Sequence, residues 1–230
     1  MNWINRQILM TSVVMLLSIL LFEFTNLDIL VQDKFFDFNN QRWLWSDDEP
    51  IGKFLLYDGI KALYLFGTLT LLGVVAFFGN LSMLQSVKKG LIIVSISLVV
   101  VPGVANLGKA ISNIPCPKNL EHYGGNYPHV TLFTGYPKGF EQERPVKCYP
   151  AGHASGGFAL LSLYFLCQRR RSRIVIVTSV LILSFTVGGY KMLIGDHFLS
   201  HTVATMLLAW WLTLFIARWV EPEFNPQRVT

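Results

Sequence analysis

The sequence predicts an all-α integral membrane protein, a six-helix bundle with a long outer loop between helices three and four. Three observations carry that reading. Hydrophobic residues make up 52% of the 230 positions and charged residues only 14%, where soluble domains carry about a quarter charged. Apolar runs recur near the roughly 20 residues that cross a bilayer as helix, and the mean hydropathy is +0.45. Basic residues gather in two short loops, Lys88-Lys89 and Arg169 to Arg173, as topology in a membrane requires.

The first span runs from about Ile8 to Phe24. A signal peptide is the alternative, but Glu23-Phe24-Thr25-Asn26 offers no small-residue cleavage site, so the segment reads as an uncleaved helix. Residues 26–59 are polar, aromatic and acidic, with Asp28, Asp33, Asp37, Asp47, Asp48 and Glu49. Within them, Leu27 to Phe36 could lie along the interface as an amphipathic helix or form a plain surface loop. Trp43 and Trp45 fit an aromatic belt. Span two is about Ile60 to Asn80, and span three about Gly90 to Gly108 with a kink expected at Pro102-Gly103. A polar loop, Lys109 to Gly152, leads to span four at His153 to Cys167. Span five covers about Ile174 to Tyr190, and span six about Ser200 to Trp219. There is no internal repeat or low-complexity linker, so residues 1–230 are expected to form one domain.

With the basic loops on the cytoplasmic side, both termini are cytoplasmic and loops 25–59, 109–152 and 191–199 face outward. The formal net charge of +5 is then topological, and no basic-aromatic pattern suited to nucleic acid is present. All five histidines, His122, His129, His153, His197 and His201, fall on the outer face. Cys116 and Cys148 share the outer loop. Outside a reducing compartment they can pair, the alternative being two free thiols; Cys167 lies at the opposite end.

The outer face therefore holds the chemistry. Pro150-Ala151-Gly152-His153 puts a histidine and exposed backbone N–H groups at a helix start, a ready anion site. Lys109, Arg144 and Lys191 are cations near helix ends, and His197 and His201 open the last span. Phosphoryl transfer needs positive charge around the equatorial oxygens, a nucleophile and an acid. Histidine serves either of the last two roles. A metal site is the rival reading, since His197 and His201 share a helix face beside Asp196. Zinc hydrolases of that spacing carry a glutamate between the histidines, and here Phe198-Leu199-Ser200 intervene. Cys116, Cys148 and His122 match no compact zinc pattern. The bland alternative is interfacial histidines and snorkelling lysines.

The arrangement resembles the type-2 phosphatidic-acid phosphatase family, related to vanadium haloperoxidases, whose motifs run K-x6-R-P, P-S-G-H and S-R-x5-H-x3-D. Lys109, six residues, then Cys116-Pro117 resembles the first. Pro150-Ala151-Gly152-His153 resembles the second, and Tyr190-Lys191, five residues, His197, three residues and His201 the third. The likeness spans about residues 90–219. It implies a metal-independent, cofactor-free lipid phosphatase or phosphotransferase working through a phosphohistidine. His197 would be the nucleophile and His153 the general acid, with His201 orienting His197 where the family has an aspartate. Lys109, Lys191 and the Gly152 N–H would bind phosphate, with Arg144 replacing the arginine that Cys116 displaces. The implied partner is a phosphorylated lipid at the outer leaflet of the cytoplasmic (inner) membrane: phosphatidic acid, phosphatidylglycerophosphate, polyprenyl diphosphate or lipid A. A non-catalytic relative that binds or moves phospholipid is the alternative from a different class.

Overall fold

Backbone N–H and C=O groups find no partner in hydrocarbon, so apolar runs of this length persist only as helices that satisfy them internally. A computed structural model describes residues 1–46, 49–54, 58–142, 144–222, 224 and 226; Asp47 and Asp48 of the acidic loop lie outside them. Among the described residues, five helices are long and apolar enough to cross a membrane. They are α1 (Trp3–Phe24), α4 (Gly59–Phe78), α5 (Lys88–Ser112), α7 (Arg170–Leu193) and α8 (Leu199–Val220). The first begins five residues before the expected boundary because Asn2 caps it, its side chain accepting from the Asn5 N–H at 2.9 Å.

The fourth expected span departs from the six-helix count. It is an eight-residue helix, α6 (Gly152–Ala159), that tightens into a 3₁₀ run over Leu160–Phe165. A 3₁₀ helix rises about 2.0 Å per residue against 1.5 Å, so this short segment still climbs roughly 24 Å. It occupies the middle of the bundle. Phe158 and Ala159 are fully buried among Val94 and Leu98 of α5, Val180 of α7 and Ala209 of α8. Gly157 permits that position, since a Cβ there would lie 2.6 Å from Ser184 Oγ on α7.

The helix α1 packs along α8, where Trp211 Nε1 donates to Ser12 Oγ at 2.9 Å. Most of its other apolar side chains, Leu16 and Leu17 among them, are exposed, as lipid-facing residues are. At the polar end, the short helices α2 (Leu27–Gln32) and α3 (Pro50–Lys53) and a two-residue hairpin, β1 (Phe36–Asp37) with β2 (Arg42–Trp43), form a cap.

Of the two readings of this stretch, residues 27–32 form a helix, α2, and not a plain surface loop. Gln32 is fully buried and donates to the Met192 carbonyl at 2.8 Å, while Asp28 Oδ1 accepts the Ser200 N–H at 2.9 Å. The Ser200 N–H is an orphan donor at the N-end of α8, and the Met192 carbonyl, near the C-end of α7, also accepts the Gly195 N–H at 3.1 Å. The Trp43 ring packs into a cluster with Phe36 and Tyr123.

The expected irregularity of α5 has a partner. Pro102 lacks the N–H that would bond the Leu98 carbonyl one turn back, and the Tyr64 hydroxyl of α4 donates to that carbonyl instead. This bond ties the peripheral helix α4 to the bundle. Tyr64→Phe is predicted to lower stability by about 1–3 kcal/mol, the cost of an orphaned carbonyl. Thermal unfolding in detergent measures it, and an unchanged midpoint would show the carbonyl finds another donor.

Candidate active site

The helices alternate in direction, so the C-terminal turns of α5 and α7 and the N-terminal turns of α6 and α8 meet in one layer. The C-terminal turns carry the cations that their dipoles favour. Lys109 occupies the last turn of α5, Lys191 the last turn of α7, and His153 and His201 the first turns of α6 and α8. His197 sits in the turn between α7 and α8. His153 and His197 have ring centroids 5.9 Å apart, and Nδ1 of His197 lies 3.4 Å from Nδ1 of His201. His197 and His201 are each 2% exposed. The Lys109 stem passes over Gly152, where an added Cβ would lie 3.6 Å from Lys109 Cδ and 3.1 Å from Asn106 Oδ1.

The turn that carries His197 is held from both sides. Gly195 adopts φ +74°, and a Cβ there would overlap the Trp43 ring. Lys118 donates its backbone N–H to the Gly195 carbonyl at 2.9 Å. Asp196 points away from His197. Its carboxylate is 2.8 Å from Lys191 Nζ and 2.6 Å from Lys118 Nζ. Burial pushes its pKa up, but the hydrogen bonds and charges of Lys118 and Lys191 outweigh that and hold it below the usual carboxylate value. It therefore stays ionised, committed to the two lysines.

Burial, then the proximity of His201, Lys109, His153 and Lys191, holds the His197 pKa well below 6.5. The ring is neutral at physiological pH. Burial likewise raises Asp28 to about 6, opposed by its hydrogen bonds with Ser200.

From His153, Lys109 and Gly152 a cavity of about 750 Å³ runs between α4, α5 and α6. Lys61 and Asn106 join its polar end, and Leu63, Leu71, Leu98, Leu160 and Leu163 line its length.

The sequence-selected residues thus fall into two groups. His153, His197, His201, Lys109, Lys191 and Gly152 come together. Arg144 does not join them: its side chain is exposed in the loop between α5 and α6, and its backbone carbonyl accepts from Tyr127 Oη at 3.1 Å. The cation this loop sends to the cluster is Lys118. Its position directly after Cys116-Pro117 was the available signal. Asn106, one turn before Lys109, carried a similar signal, whereas Asp28 and Trp43 carried none. Cys116 and Cys148 are bridged, with Cα atoms 5.2 Å apart, and Cys167 is free.

Residues 90–224 match the PAP2 superfamily, which is more than half of the chain. The protein belongs to that superfamily, and membership suggests phosphatase or phosphotransferase activity on phosphorylated substrates. No curated protein and no solved structure matches the chain.

Gly195→Ala combines a left-handed backbone with overlap on Trp43, so it is predicted to destabilise the fold by at least about 1–2 kcal/mol. Asp28 separates charge from hydrogen bonding. Asp28→Ala loses the acceptor for the Ser200 N–H and is expected to cost about 1 kcal/mol, whereas Asp28→Asn keeps it. Because the folded pKa is raised, the side chain's contribution to stability is full below its ordinary value of 3.8 and is lost as pH rises through about 6. Melting curves at pH 4 and 7.5 check this: Asp28→Asn should match or exceed the parent at pH 7.5 and lose that advantage at pH 4.

Proposed function

We propose that the protein is a metal-independent lipid phosphatase or phosphotransferase that acts on a phosphorylated head group through a phosphohistidine. The observation that carries the lipid assignment is the cavity. Its polar end holds His153, Lys109, Lys61 and Gly152, and its length is apolar. A soluble phosphate ester would have no use for the leucine-lined part, whereas an acyl or prenyl chain gains about 0.8 kcal/mol for each CH₂ it buries there.

In this reading, Lys109, Lys191 and the N–H groups at the start of α6 neutralise the phosphoryl oxygens. The neutral His197 attacks phosphorus and His153 protonates the leaving oxygen. Hydrolysis, or transfer to a second lipid, then releases the phosphoryl group. His201 orients His197 through the 3.4 Å contact between their Nδ1 atoms. Asp196 is already engaged by Lys191 and Lys118, which leaves His201 as the orienting group. Lys118, rather than Arg144, is the loop cation we assign to the charge balance of the site. The positive loops support an inner-membrane placement, with the site outward and both termini cytoplasmic.

Phosphate release from purified protein should occur with at least one of phosphatidic acid, phosphatidylglycerophosphate, polyprenyl diphosphate or lipid A. It should survive EDTA and be inhibited by vanadate. EDTA-sensitive activity restored by zinc would sink the mechanism, and lipid binding without turnover would make the chain a non-catalytic relative.

His197→Ala should abolish turnover. His201→Ala should lose at least about tenfold, the worth of one neutral hydrogen bond near 1.4 kcal/mol, while His201→Asp keeps measurable activity. Because the His197 pKa is depressed and only the neutral ring attacks, the acid limb of kcat/KM should lie below pH 6.5, while burial and then Lys109 and Lys191 lower His153 to about 4, so its proton-donating form gains population as pH falls from neutrality. An acid limb centred above pH 6.5 would contradict His197 as nucleophile.

A further inference from the structure

Asp196 adjoins the nucleophile in sequence, yet its side chain serves the lysines. The turn that carries it closes on one acceptor. The Lys191 carbonyl takes the Asp196 N–H at 2.8 Å and the His197 N–H at 3.3 Å, so Lys191, Asp196 and His197 move as a unit. Within that unit the carboxylate turns back to Lys191, with Oδ2 2.8 Å from Nζ. Its other oxygen, Oδ1, reaches across to the loop and lies 2.6 Å from Lys118 Nζ. The side chains of Lys191 and Asp196 are only 8% and 16% exposed, and an ion pair so withdrawn from water is screened far less than one on the surface.

A carboxylate that spans two ammonium groups presents what a phosphoryl group presents to them: two oxygens and negative charge. A lysine is a compact point charge with three N–H groups and no fixed fork. It can therefore face two anions at once, and each anion weakens its hold on the other. We propose that Asp196 is an affinity-setting residue, an internal anion that acts through Lys191 and Lys118 to weaken their grip on phosphate and so speeds the release of product. The proposal rests on the phosphatase reading, in which Lys191 holds the phosphoryl group. Inorganic phosphate is the product that buried lysines would retain longest, since it keeps all of its charge after the lipid has left. Burial opposes the charge on Asp196, but the two lysines outweigh that and keep the carboxylate ionised at neutral pH.

A bracing role and a competing role predict opposite signs. If the ion pair only held Lys191 in position, its removal would weaken phosphate binding. If Asp196 competes with phosphate, its removal strengthens binding. Asp196→Asn separates the two, because it keeps the shape of the side chain and an oxygen acceptor while it deletes the charge.

The test is calorimetric titration of the purified protein in detergent with inorganic phosphate, and with vanadate as its mimic. Asp196→Asn should bind both at least about tenfold more tightly than wild type. With a lipid that is turned over, the inhibition constant of phosphate should drop by a similar factor, and KM should fall rather than rise. Should Asp196→Asn not fold with its lysines uncompensated, the same exchange is made in Lys118→Met. The double variant keeps the net charge of wild type and should bind phosphate at least about tenfold more tightly than Lys118→Met alone. An unchanged or weaker affinity in the asparagine proteins would overturn the proposal and leave Asp196 as a brace for Lys191. Failure of every protein to bind phosphate would overturn it as well. Calorimetry needs no turnover, so the two readings fail separately. Tighter binding in the asparagine proteins with no lipid hydrolysed would defeat the phosphatase reading, whereas an active enzyme whose phosphate affinity ignores Asp196 would defeat this proposal alone.

Discussion

One hydroxyl joins the two halves of the site. Thr205 Oγ1, on the second turn of α8, accepts the Ala151 N–H at 2.9 Å and donates to the His201 carbonyl at 2.7 Å. Ala151 is the N-cap of α6, so its N–H has no place in a helical ladder and must be satisfied from outside. In a low-dielectric slab an unmet donor costs several kcal/mol, which makes this contact a constraint. Once it is made, His153, two residues beyond Ala151, and His201, one turn before Thr205, are fixed relative to each other. His197 follows through its place one turn before His201.

The charges obey a similar logic of position. A lysine at the C-end of α5 and another at the C-end of α7 lie where the helix dipoles favour cations, while the N-ends of α6 and α8 turn N–H groups toward the same layer. Such a concentration of positive charge, half-buried, needs a counter-ion within the protein. Asp196 provides one, held between Lys191 and Lys118. Its engagement there also explains why it does not orient His197, although it is the adjacent residue.

The polar cap has a structural part in this. The hairpin, α2 and the aromatic cluster cover the turn between α7 and α8, with Trp43 against Gly195, Gln32 on the Met192 carbonyl and Asp28 on the Ser200 N–H. Each contact meets a backbone group or a glycine at the end of the bundle. Residues far apart in sequence thus hold the short stretch 191–197, which carries Lys191, Asp196 and His197.

Much of this was legible in the chain. Apolar runs, interrupted by basic loops, determined the membrane-crossing helices and gathered the histidines at one end, because hydropathy and length act locally along a helix. Motif spacing likewise identified Lys109, His153, Lys191, His197 and His201, since residues one turn apart or at a helix terminus keep their geometry wherever the helix packs. Tertiary structure decided the rest. It split the fourth span into α and 3₁₀ segments, with Phe158 and Ala159 packed among α5, α7 and α8. It sent Lys118 rather than Arg144 to the cluster, and it folded α2 onto the ends of α7 and α8. Those outcomes depend on which orphan backbone groups and charges meet across long stretches of chain, and no local periodicity records such meetings.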